Sequence, residues 1–343
     1  MKSAATNLLY REGLELDGNA TIDLASREIV GHSILLARDV RDPIVAVDIV
    51  DAKIPARITP AIMATKDMGA DPTRIAVLMY SAAGICAEEK ALDAELRYLR
   101  AAKAGQVGEA QDARIQQKRW AALAAQRQYT GYQLFQHRWE KKYRKPLGEG
   151  CPKMNSDIDQ TVYMLGMLSG LQAMTNDINS GGAVHVPKDI AAIVERGMTC
   201  LNNEKFWGAP EATRAVIWTL LPGAGDGKPD PYQTLKQSMH IGENKGVRLS
   251  HALYAVAAQA SGEDAKIRDA LKAFSHARSD EKPVNPQFKL IDAMAGSMVQ
   301  GISDRYWTEH TGVRTGDQQR FWDEQDNSSE LDDLFNEDTA AQL

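Results

Sequence analysis

Apolar residues recur at three- and four-residue intervals along most of the chain, and the densest pattern lies at residues 157–178. This segment contains two offset apolar series: Ile158, Val162, Leu165 and Leu168, and then Met164, Leu168, Leu171, Met174 and Ile178. The spacing predicts a helix that is apolar around most of its circumference. Ser156 or Asp157 is the expected N-cap, and the chain leaves the helix at 179–182, Asn-Ser-Gly-Gly.

Small residues share one side of this predicted helix, because Gly166, Gly170 and Ala173 are separated by helical spacing. An interior glycine costs about 1 kcal/mol relative to alanine in a helix. A close neighbour is therefore expected on that side, either the backbone of another helix or a bound apolar molecule.

The same periodicity predicts helices along the rest of the chain and no significant sheet. Asp71-Pro72 and Asp230-Pro231 are typical helix starts, and glycine and proline punctuate the segments between them. The β-branched run at 43–50, PIVAVDIV, has no partner strand and is predicted to be helical. We expect an all-α fold of helical hairpins in an irregular tetratricopeptide-like array, since no strict repeat of about 34 residues occurs.

Three regions are expected along the chain. Residues 1–150 form an N-terminal helical region with a long basic helix, and residues 151–322 form a C-terminal helical region that binds a ligand. Residues 323–343 form an acidic tail, which contains eight aspartate or glutamate residues and neither lysine nor arginine. Segments of this composition remain solvated.

Basic and aromatic residues alternate along the long helix, which is predicted at 109–145. Its aromatic stripe consists of Tyr129, Tyr132, Phe135, Trp139 and Tyr143. Basic residues interleaved with aromatic ones can bind nucleic acid. The shared face of the aromatic residues and the net charge of −6 instead favour a core-facing amphipathic helix, and no nucleic-acid partner is expected.

The sequence contains no recognisable catalytic or metal-binding pattern. Its seven histidines are scattered, and the spacings of HExxH, GxSxG and the phosphate loop are all absent. We predict a protein that is not an enzyme and holds neither a metal nor a cofactor. The alternative of an all-α enzyme for isoprenoid-like substrates lacks a DDxxD run, because Asp332-Asp333 lies in the tail.

Large apolar and amphipathic side chains in the second half of the chain could line a pocket for a flat apolar ligand. The same residue types also build ordinary cores. A ligand hydroxyl would need a partner, and His251, Tyr254 and Tyr306 are the candidates. The predicted ligand-binding residues are Met164, Met167, Leu168, Leu171, Trp207, Trp218, His251, Tyr254, Tyr306 and Trp307.

The cysteine content and the N-terminal residues do not determine the cellular compartment of the protein. Of Cys86, Cys151 and Cys200, the last two are the favoured pair in an oxidising compartment, because both lie near predicted helix ends. No segment approaches the roughly 20 apolar residues of a membrane span, and the first residues do not form a secretory signal. Either the protein is cytoplasmic, or a leader or lipid anchor was removed before Met1.

Five segments carry a resemblance to a known family: YMLGMLSGLQAMTNDINSGGAVHVPKDI, KFWGAP, RAVIWTLLPGA, GVRLSHALYA and DRYWTEHTG. They resemble the TatT-like T-component proteins associated with TRAP-type transporters, and in particular those that serve bacterial sterol transport. The similarity covers mainly residues 155–322. It implies helical hairpins, an apolar cavity or pore, a periplasmic location and often a lipid anchor. This chain differs in having no regular repeat and no lipobox cysteine.

The resemblance and the residue types together predict a periplasmic accessory protein that binds a sterol or other lipid. Such a protein would hand its ligand between other proteins of a transport system without chemistry. Membrane association is expected only if an anchor preceded Met1. The alternative is a helical-repeat scaffold that binds protein partners.

Deleting residues 324–343 should leave the cooperative unfolding transition unchanged. The acidic tail can be attracted to the basic helix, but exposed ion pairs contribute only about 0–1 kcal/mol each and are screened by salt. Urea denaturation of the full and shortened chains tests this expectation. Loss of the transition in the shortened chain would show that the tail belongs to the core.

Overall fold

The computed structural model describes residues 72–278 and 283–315, which form nine α-helices, one 3₁₀ turn and no strand. The helices are α1 Pro72–Lys103, α2 Val107–Tyr143, α3 Asp157–Ser180, α4 Ile190–Met198, α5 Ala209–Leu220, α6 Pro231–Lys245, α7 Leu249–Ser261, α8 Asp264–Ala277 and α9 Lys289–Thr311, with the 3₁₀ turn at Pro286–Phe288. The prediction of an all-α fold is confirmed for these residues. The predicted helix start at Asp71, the run at 43–50 and the acidic tail lie outside them.

Helix ends follow the local signals in the sequence. Ser156 is the N-cap of α3, since its hydroxyl accepts a hydrogen bond from the backbone N–H of Asp159 at 3.1 Å. Gly181 ends the same helix with φ of 90°, in the left-handed region that favours glycine. Asp230 caps α6 by accepting from the backbone N–H of Gln233 at 2.7 Å.

The described residues group into two compact units. Unit 1 contains residues 72–93 and 115–201, and therefore α3, α4 and most of α1 and α2. Unit 2 contains residues 94–114 together with the described residues from 202 onwards, including α5 to α9. Unit 1 thus combines residues from both sides of the expected regional boundary at 150.

The glycine side of α3 packs against aromatic rings of α2. A Cβ atom built on Gly166 would lie 2.5 Å from Cγ of Phe135, and one built on Gly170 would lie 2.6 Å from Cδ2 of Tyr132. The sequence predicted a close neighbour here, either a helix backbone or an apolar ligand. The neighbour is instead a pair of side-chain rings, so the glycines are explained by packing within unit 1.

The leucine side of α3 remains partly at the surface. Ile158 and Ile178 are 49% and 60% exposed, and the leucines between them are half-buried. Met164 and Met167, by contrast, are fully buried. The helix therefore buries its methionine and glycine side and leaves an apolar stripe, which we define as Ile158, Leu165, Leu168, Leu171 and Ile178.

A polar network joins α1, α2 and α3 inside unit 1. Gln128 Nε2 donates to Glu88 Oε1 at 2.8 Å, and Asn176 Nδ2 donates to the same oxygen and to Gln128 Oε1. The Ser169 hydroxyl donates to the Gln128 carbonyl at 3.2 Å. Burial raises the pKa of the Glu88 carboxyl, and the two amide hydrogen bonds only partly oppose that rise.

Helix α7 is the centre of unit 2, where it packs against α5, α6, α8 and α9. Its first seven residues are all buried. Consecutive helices pack on one another through short connections, and α7 also packs on α5 before it and α9 after it.

A buried ion pair holds the start of α7 in place. Both Arg248 and Asp292 are buried, and Asp292 Oδ1 accepts from the backbone N–H and the Nε–H of Arg248 at 3.0 and 2.8 Å. A second guanidinium nitrogen of Arg248 pairs with Asp292 Oδ2, and a third donates to the carbonyl of Ala277 at 3.2 Å. One side chain therefore joins the start of α7, the end of α8 and α9. Removing one member of such a pair costs about 3–5 kcal/mol.

Glu88→Gln should change the pH dependence of stability. The pKa of Glu88 is raised in the folded chain. Its contribution to the free energy of unfolding is therefore fully present below the unfolded glutamate pKa of about 4.3. That contribution is lost as the pH rises through the folded value. Glutamine keeps an acceptor for both amides but does not ionise, so the variant should gain stability relative to the wild type between about pH 4 and pH 8.

Urea denaturation at about pH 4 and about pH 8 measures the difference in the free energy of unfolding between Glu88→Gln and the wild type. Glu149→Gln, at an exposed position, serves as the control, and its difference from the wild type should not change with pH. An equally constant difference for Glu88→Gln would contradict the prediction.

Candidate functional site

The ten residues predicted from the sequence to bind a ligand fall in both units. Unit 1 holds the four on α3, which are Met164, Met167, Leu168 and Leu171. Unit 2 holds the other six, which are Trp207, Trp218, His251, Tyr254, Tyr306 and Trp307. Each set is described separately below.

Met167 fills the contact between α3 and α4. A Cβ atom on Gly197 would lie 2.5 Å from Cε of Met167, so the thioether occupies the space that a larger residue would need. Met164 is fully buried. Leu168 and Leu171 are half-buried on the apolar stripe. The methionines therefore act as core residues, while the leucines retain accessible surface.

The tryptophans of unit 2 are buried and contact protein groups. The Ser250 hydroxyl donates to the Trp207 carbonyl at 2.8 Å, and the Trp207 ring lies 4.5 Å from the Phe288 ring, centroid to centroid. The Arg214 guanidinium lies 5.1 Å from the centroid of the Trp218 ring, within the range of a cation–π contact. Trp307 is also buried, at 5% exposure.

The candidate partners for a ligand hydroxyl contact protein carboxylates. Tyr254 donates to Asp269 at 2.6 Å, and Tyr306 donates to Asp264 at 2.6 Å. Burial, followed by the Asp264 carboxylate, raises the pKa of Tyr306 to about 12. His251 lies 3.5 Å from a glutamate carboxylate on α6. Each of the three candidate residues thus contacts a carboxylate of the protein, and their role in ligand binding stays a prediction.

A pocket that the sequence did not predict lies where α2 ends in unit 1. It is lined by Trp139 and Tyr143 of α2, Tyr163 of α3 and six residues of the loop between 145 and 152. It is a shallow depression with a volume of about 10 Å³, which is room for about one water molecule. Aromatic rings and prolines make its lining mostly apolar, and Lys145 adds one ammonium group. We call this feature the loop pocket.

The local sequence explains why the chain turns here. Arg144 ends α2 with φ of 55°, an uncommon conformation for a residue other than glycine, and Pro146 cannot continue the helix. Gly148 and Gly150 then take φ of 80° and 73°. The loop is held at Gly148, whose carbonyl accepts from Nε of Arg196 at 3.2 Å.

A disulfide closes the loop pocket onto the end of α4. Cys151 and Cys200 are bonded with their Cα atoms 5.1 Å apart, which is the pair favoured by the sequence for an oxidising compartment. A cross-link over a loop of about 50 residues stabilises the fold by about 4 kcal/mol in the chain-entropy model. Cys86 is a free, half-buried thiol, and burial raises its pKa.

The aromatic rings of the loop pocket are fixed by contacts with one another. The Trp139 ring lies 6.0 Å from the rings of both Tyr143 and Tyr163, centroid to centroid. The Tyr163 hydroxyl is 3.4 Å from the Gly197 carbonyl, and burial raises the pKa of Tyr163 to about 12. The phenol therefore remains neutral at physiological pH.

The indole of Trp139 has a buried donor without an acceptor among the described residues. Trp139 is 3% exposed, and its indole Nε1–H is enclosed without a hydrogen-bond partner in the part of the chain that the structure describes. A buried donor without a partner costs about 1–3 kcal/mol.

Positive charge is dense in the segment that contains the end of α2 and the following loop. Residues 137–153 contain six lysines or arginines and two glutamates. The exposed cations that form no ion pair with any described residue are Lys141, Arg144, Lys145 and Lys153. Of these cations, Lys145 lines the loop pocket.

No helix in the described ranges is both long and apolar enough to cross a membrane. Within those same ranges, no cluster of three or more His, Cys, Asp or Glu residues could hold a metal ion.

Comparison with known proteins yields no match, because no family model, curated protein or solved structure is similar to this chain. The interpretation of the loop pocket therefore depends on its own geometry.

Sequence reasoning missed the loop pocket because its residues come from separate segments. The available signals were the dense basic run at 141–145 and the breaker-rich run PLGEGCP at 146–152. Together they mark a basic helix end followed by a constrained loop. The contribution of Tyr163 could not be inferred from either run.

Met167→Trp and Leu168→Trp should differ sharply in stability although they are neighbours. Tryptophan at the fully buried Met167 overpacks the contact with α4 and should cost about 1–3 kcal/mol. Tryptophan at the half-buried Leu168 should change the free energy of unfolding by less than about 1 kcal/mol. Urea denaturation measures the free energy of unfolding of both variants. Equally large losses of stability would show that the apolar stripe is tightly covered.

Proposed function

We propose that this protein is a non-enzymatic helical scaffold that binds protein partners, and that the loop pocket is one of its contact surfaces. The observation that carries the proposal is the size and lining of the loop pocket. Its volume of about 10 Å³ is far below the roughly 300–1,000 Å³ typical of small-molecule sites. A shallow, mostly aromatic surface of this kind instead suits contact with the surface of a protein partner.

The arrangement of unit 2 supports a scaffold. Its helices α5 to α8 pack consecutively, and α7 also packs on α5 and α9. Helical-repeat proteins that bind other proteins bury their cores in this way. The tetratricopeptide-like array expected from the sequence is consistent with these contacts and remains part of the proposal.

The disulfide supports an oxidising compartment. Disulfides persist outside the reducing cytosol in most organisms, and the bond between Cys151 and Cys200 would be retained in the periplasm. A periplasmic location agrees with the resemblance to T-component proteins, whose partners are other proteins of a transport system.

Transfer of a sterol or other lipid is the second candidate function, and the apolar stripe of α3 favours it. Leu165, Leu168 and Leu171 are half-buried, between the exposed Ile158 and Ile178. Covering about 300 Å² of apolar surface provides about 7.5 kcal/mol before ordering costs. A lipid could therefore bind along this stripe with micromolar affinity.

Photo-cross-linking at defined positions tests the scaffold proposal. A photoreactive amino acid at the exposed Lys141 or Lys145 should give one discrete cross-linked protein in cells that express the chain naturally. The identified protein should then form a stable complex with the purified chain. Gln237, which is exposed on α6 of unit 2, is the control position, and identical products from it would indicate non-specific capture. The absence of discrete products from every surface position would contradict the proposal.

A lipid titration separates the two functions. Sterols and fatty acids titrated against tryptophan fluorescence should produce no saturable change if the chain is only a scaffold. Mass spectrometry of lipids extracted from purified protein provides an independent check. A saturable signal that Leu168→Trp abolishes while helix content is retained would support lipid transfer instead.

A further inference from the structure

We infer that unit 1 binds the surface of an anionic lipid bilayer through a group of cations at the end of α2 and in the loop that follows. We call this group the basic surface and define it as Lys141, Arg144, Lys145 and Lys153. All four are exposed, and none forms an ion pair with a described residue. The inference goes beyond the proposed scaffold function, which it neither needs nor excludes, and it requires no lipid anchor.

The path of the chain keeps these cations close together. Lys141 and Lys145 are four residues apart, so their Cα atoms are separated by at most about 14 Å. The loop then returns to Lys145, whose Nζ lies 3.5 Å from the position of a Cβ atom built on Gly150. Lys145 and Pro152 also line the same shallow depression. Lys153 directly follows Pro152 and therefore lies near Lys145.

Few acidic groups offset the basic surface. Residues 137–153 contain six lysines or arginines and two glutamates, which gives a local net charge of +4 in a chain whose net charge is −6. Glu140 Oε1 accepts from Nε2 of Gln136 at 3.0 Å and from the backbone N–H of Leu147 at 3.2 Å. Positive potential is therefore concentrated in this segment, and each lysine or arginine near an anionic bilayer strengthens binding by about fivefold.

Exposed apolar surface accompanies the cations. Leu134 is 41% exposed and precedes Lys141 by seven residues, so both lie on one face of α2, about 10 Å apart along the helix axis. Tyr143 is half-buried and lies within the basic run, and tyrosine is enriched where lipid meets water. Cations beside exposed apolar groups are typical of protein surfaces that lie in the headgroup layer.

The shape of this region suits a flat partner. The depression beside Lys145 has a volume of about 10 Å³, which is room for about one water molecule. It therefore receives neither a small ligand nor an inserted side chain. A bilayer requires no cavity, because its phosphates are spread over a plane that long lysine and arginine side chains can reach.

Nucleic acid fits these observations less well than a bilayer. Its phosphates would attract the same cations, but a phosphate backbone offers no apolar boundary for Leu134. Stacking of bases requires exposed aromatic faces, whereas Tyr132, Phe135 and Trp139 are buried. The exposed leucine therefore favours the bilayer over a purely anionic polymer.

Vesicle flotation with the full-length protein tests the inference. The vesicles consist of phosphatidylcholine alone or of phosphatidylcholine with about 30% phosphatidylglycerol. The protein should bind the anionic vesicles at least about tenfold more tightly than the neutral ones. That affinity should fall by at least about fivefold between about 0.05 M and about 0.5 M salt, because salt screens exposed charges.

Two matched double variants locate the contact. Arg144→Gln with Lys145→Gln should weaken binding to the anionic vesicles by at least about tenfold, because it removes two charges of the basic surface. Lys118→Gln with Arg119→Gln removes the same two kinds of charge from exposed positions on the same helix. This control site lies more than about 30 Å from Lys145, so the affinity should change by less than about threefold. Circular dichroism and the urea midpoint should show that both double variants are folded.

A matched pair of leucine variants separates a bilayer from other anionic partners. Leu134→Gln removes the exposed apolar group beside the cations and should weaken vesicle binding by at least about threefold. Leu220→Gln alters a leucine of similar exposure, 40%, on α5 in unit 2. Its vesicle affinity should equal that of the wild type.

Three results would overturn the inference. The first is equal binding to anionic and neutral vesicles, and the second is an equal loss of affinity in the two double variants. The third is tighter binding to a labelled DNA duplex that Arg144→Gln with Lys145→Gln weakens and Leu134→Gln leaves unchanged, which would assign the basic surface to nucleic acid. Cross-linking to a protein partner tests the scaffold function separately, so either proposal can fail while the other stands.

Discussion

The contact between the aromatic side of α2 and the glycine side of α3 is the constraint on which unit 1 depends. Phe135 and Tyr132 occupy the space that Cβ atoms on Gly166 and Gly170 would fill. Protein interiors are close-packed, so even a methyl group at either glycine would displace a ring. The same approach of the two helices brings Trp139 and Tyr163 together, and these rings form part of the loop pocket.

Polar groups buried in each unit add specificity to this packing. In unit 1, Glu88 accepts from two side-chain amides, and in unit 2 Asp292 accepts from the backbone and side chain of Arg248. A buried polar group that loses its partner costs about 1–3 kcal/mol, and more if it is charged. Each network therefore disfavours alternative helix packings in its own unit, because sliding one helix would leave donors or acceptors without partners.

The loop pocket links the fold to the proposed scaffold function. Its rings are held by the core of unit 1, its loop is tied to the end of α4 by a disulfide, and Lys145 adds one cation to its lining. These properties arise from different requirements of the chain, namely packing, chain reversal and solvation. Their combination at one place is what makes protein binding the function that the geometry supports best.

Within the described residues, the sequence by itself determined the helices, most of their ends and the burial of Tyr132, Phe135 and Trp139 in the aromatic stripe of α2, because these depend on local spacing and capping. It also favoured the Cys151–Cys200 pair. Tertiary structure decided that rings, rather than a backbone or a ligand, fill the glycine side of α3. It also decided that Met167 is core while Leu168 stays half-exposed, and that Tyr163 joins Trp139 at the loop pocket. Those outcomes depend on which helix faces which, and periodicity within one helix carries no information about its neighbour.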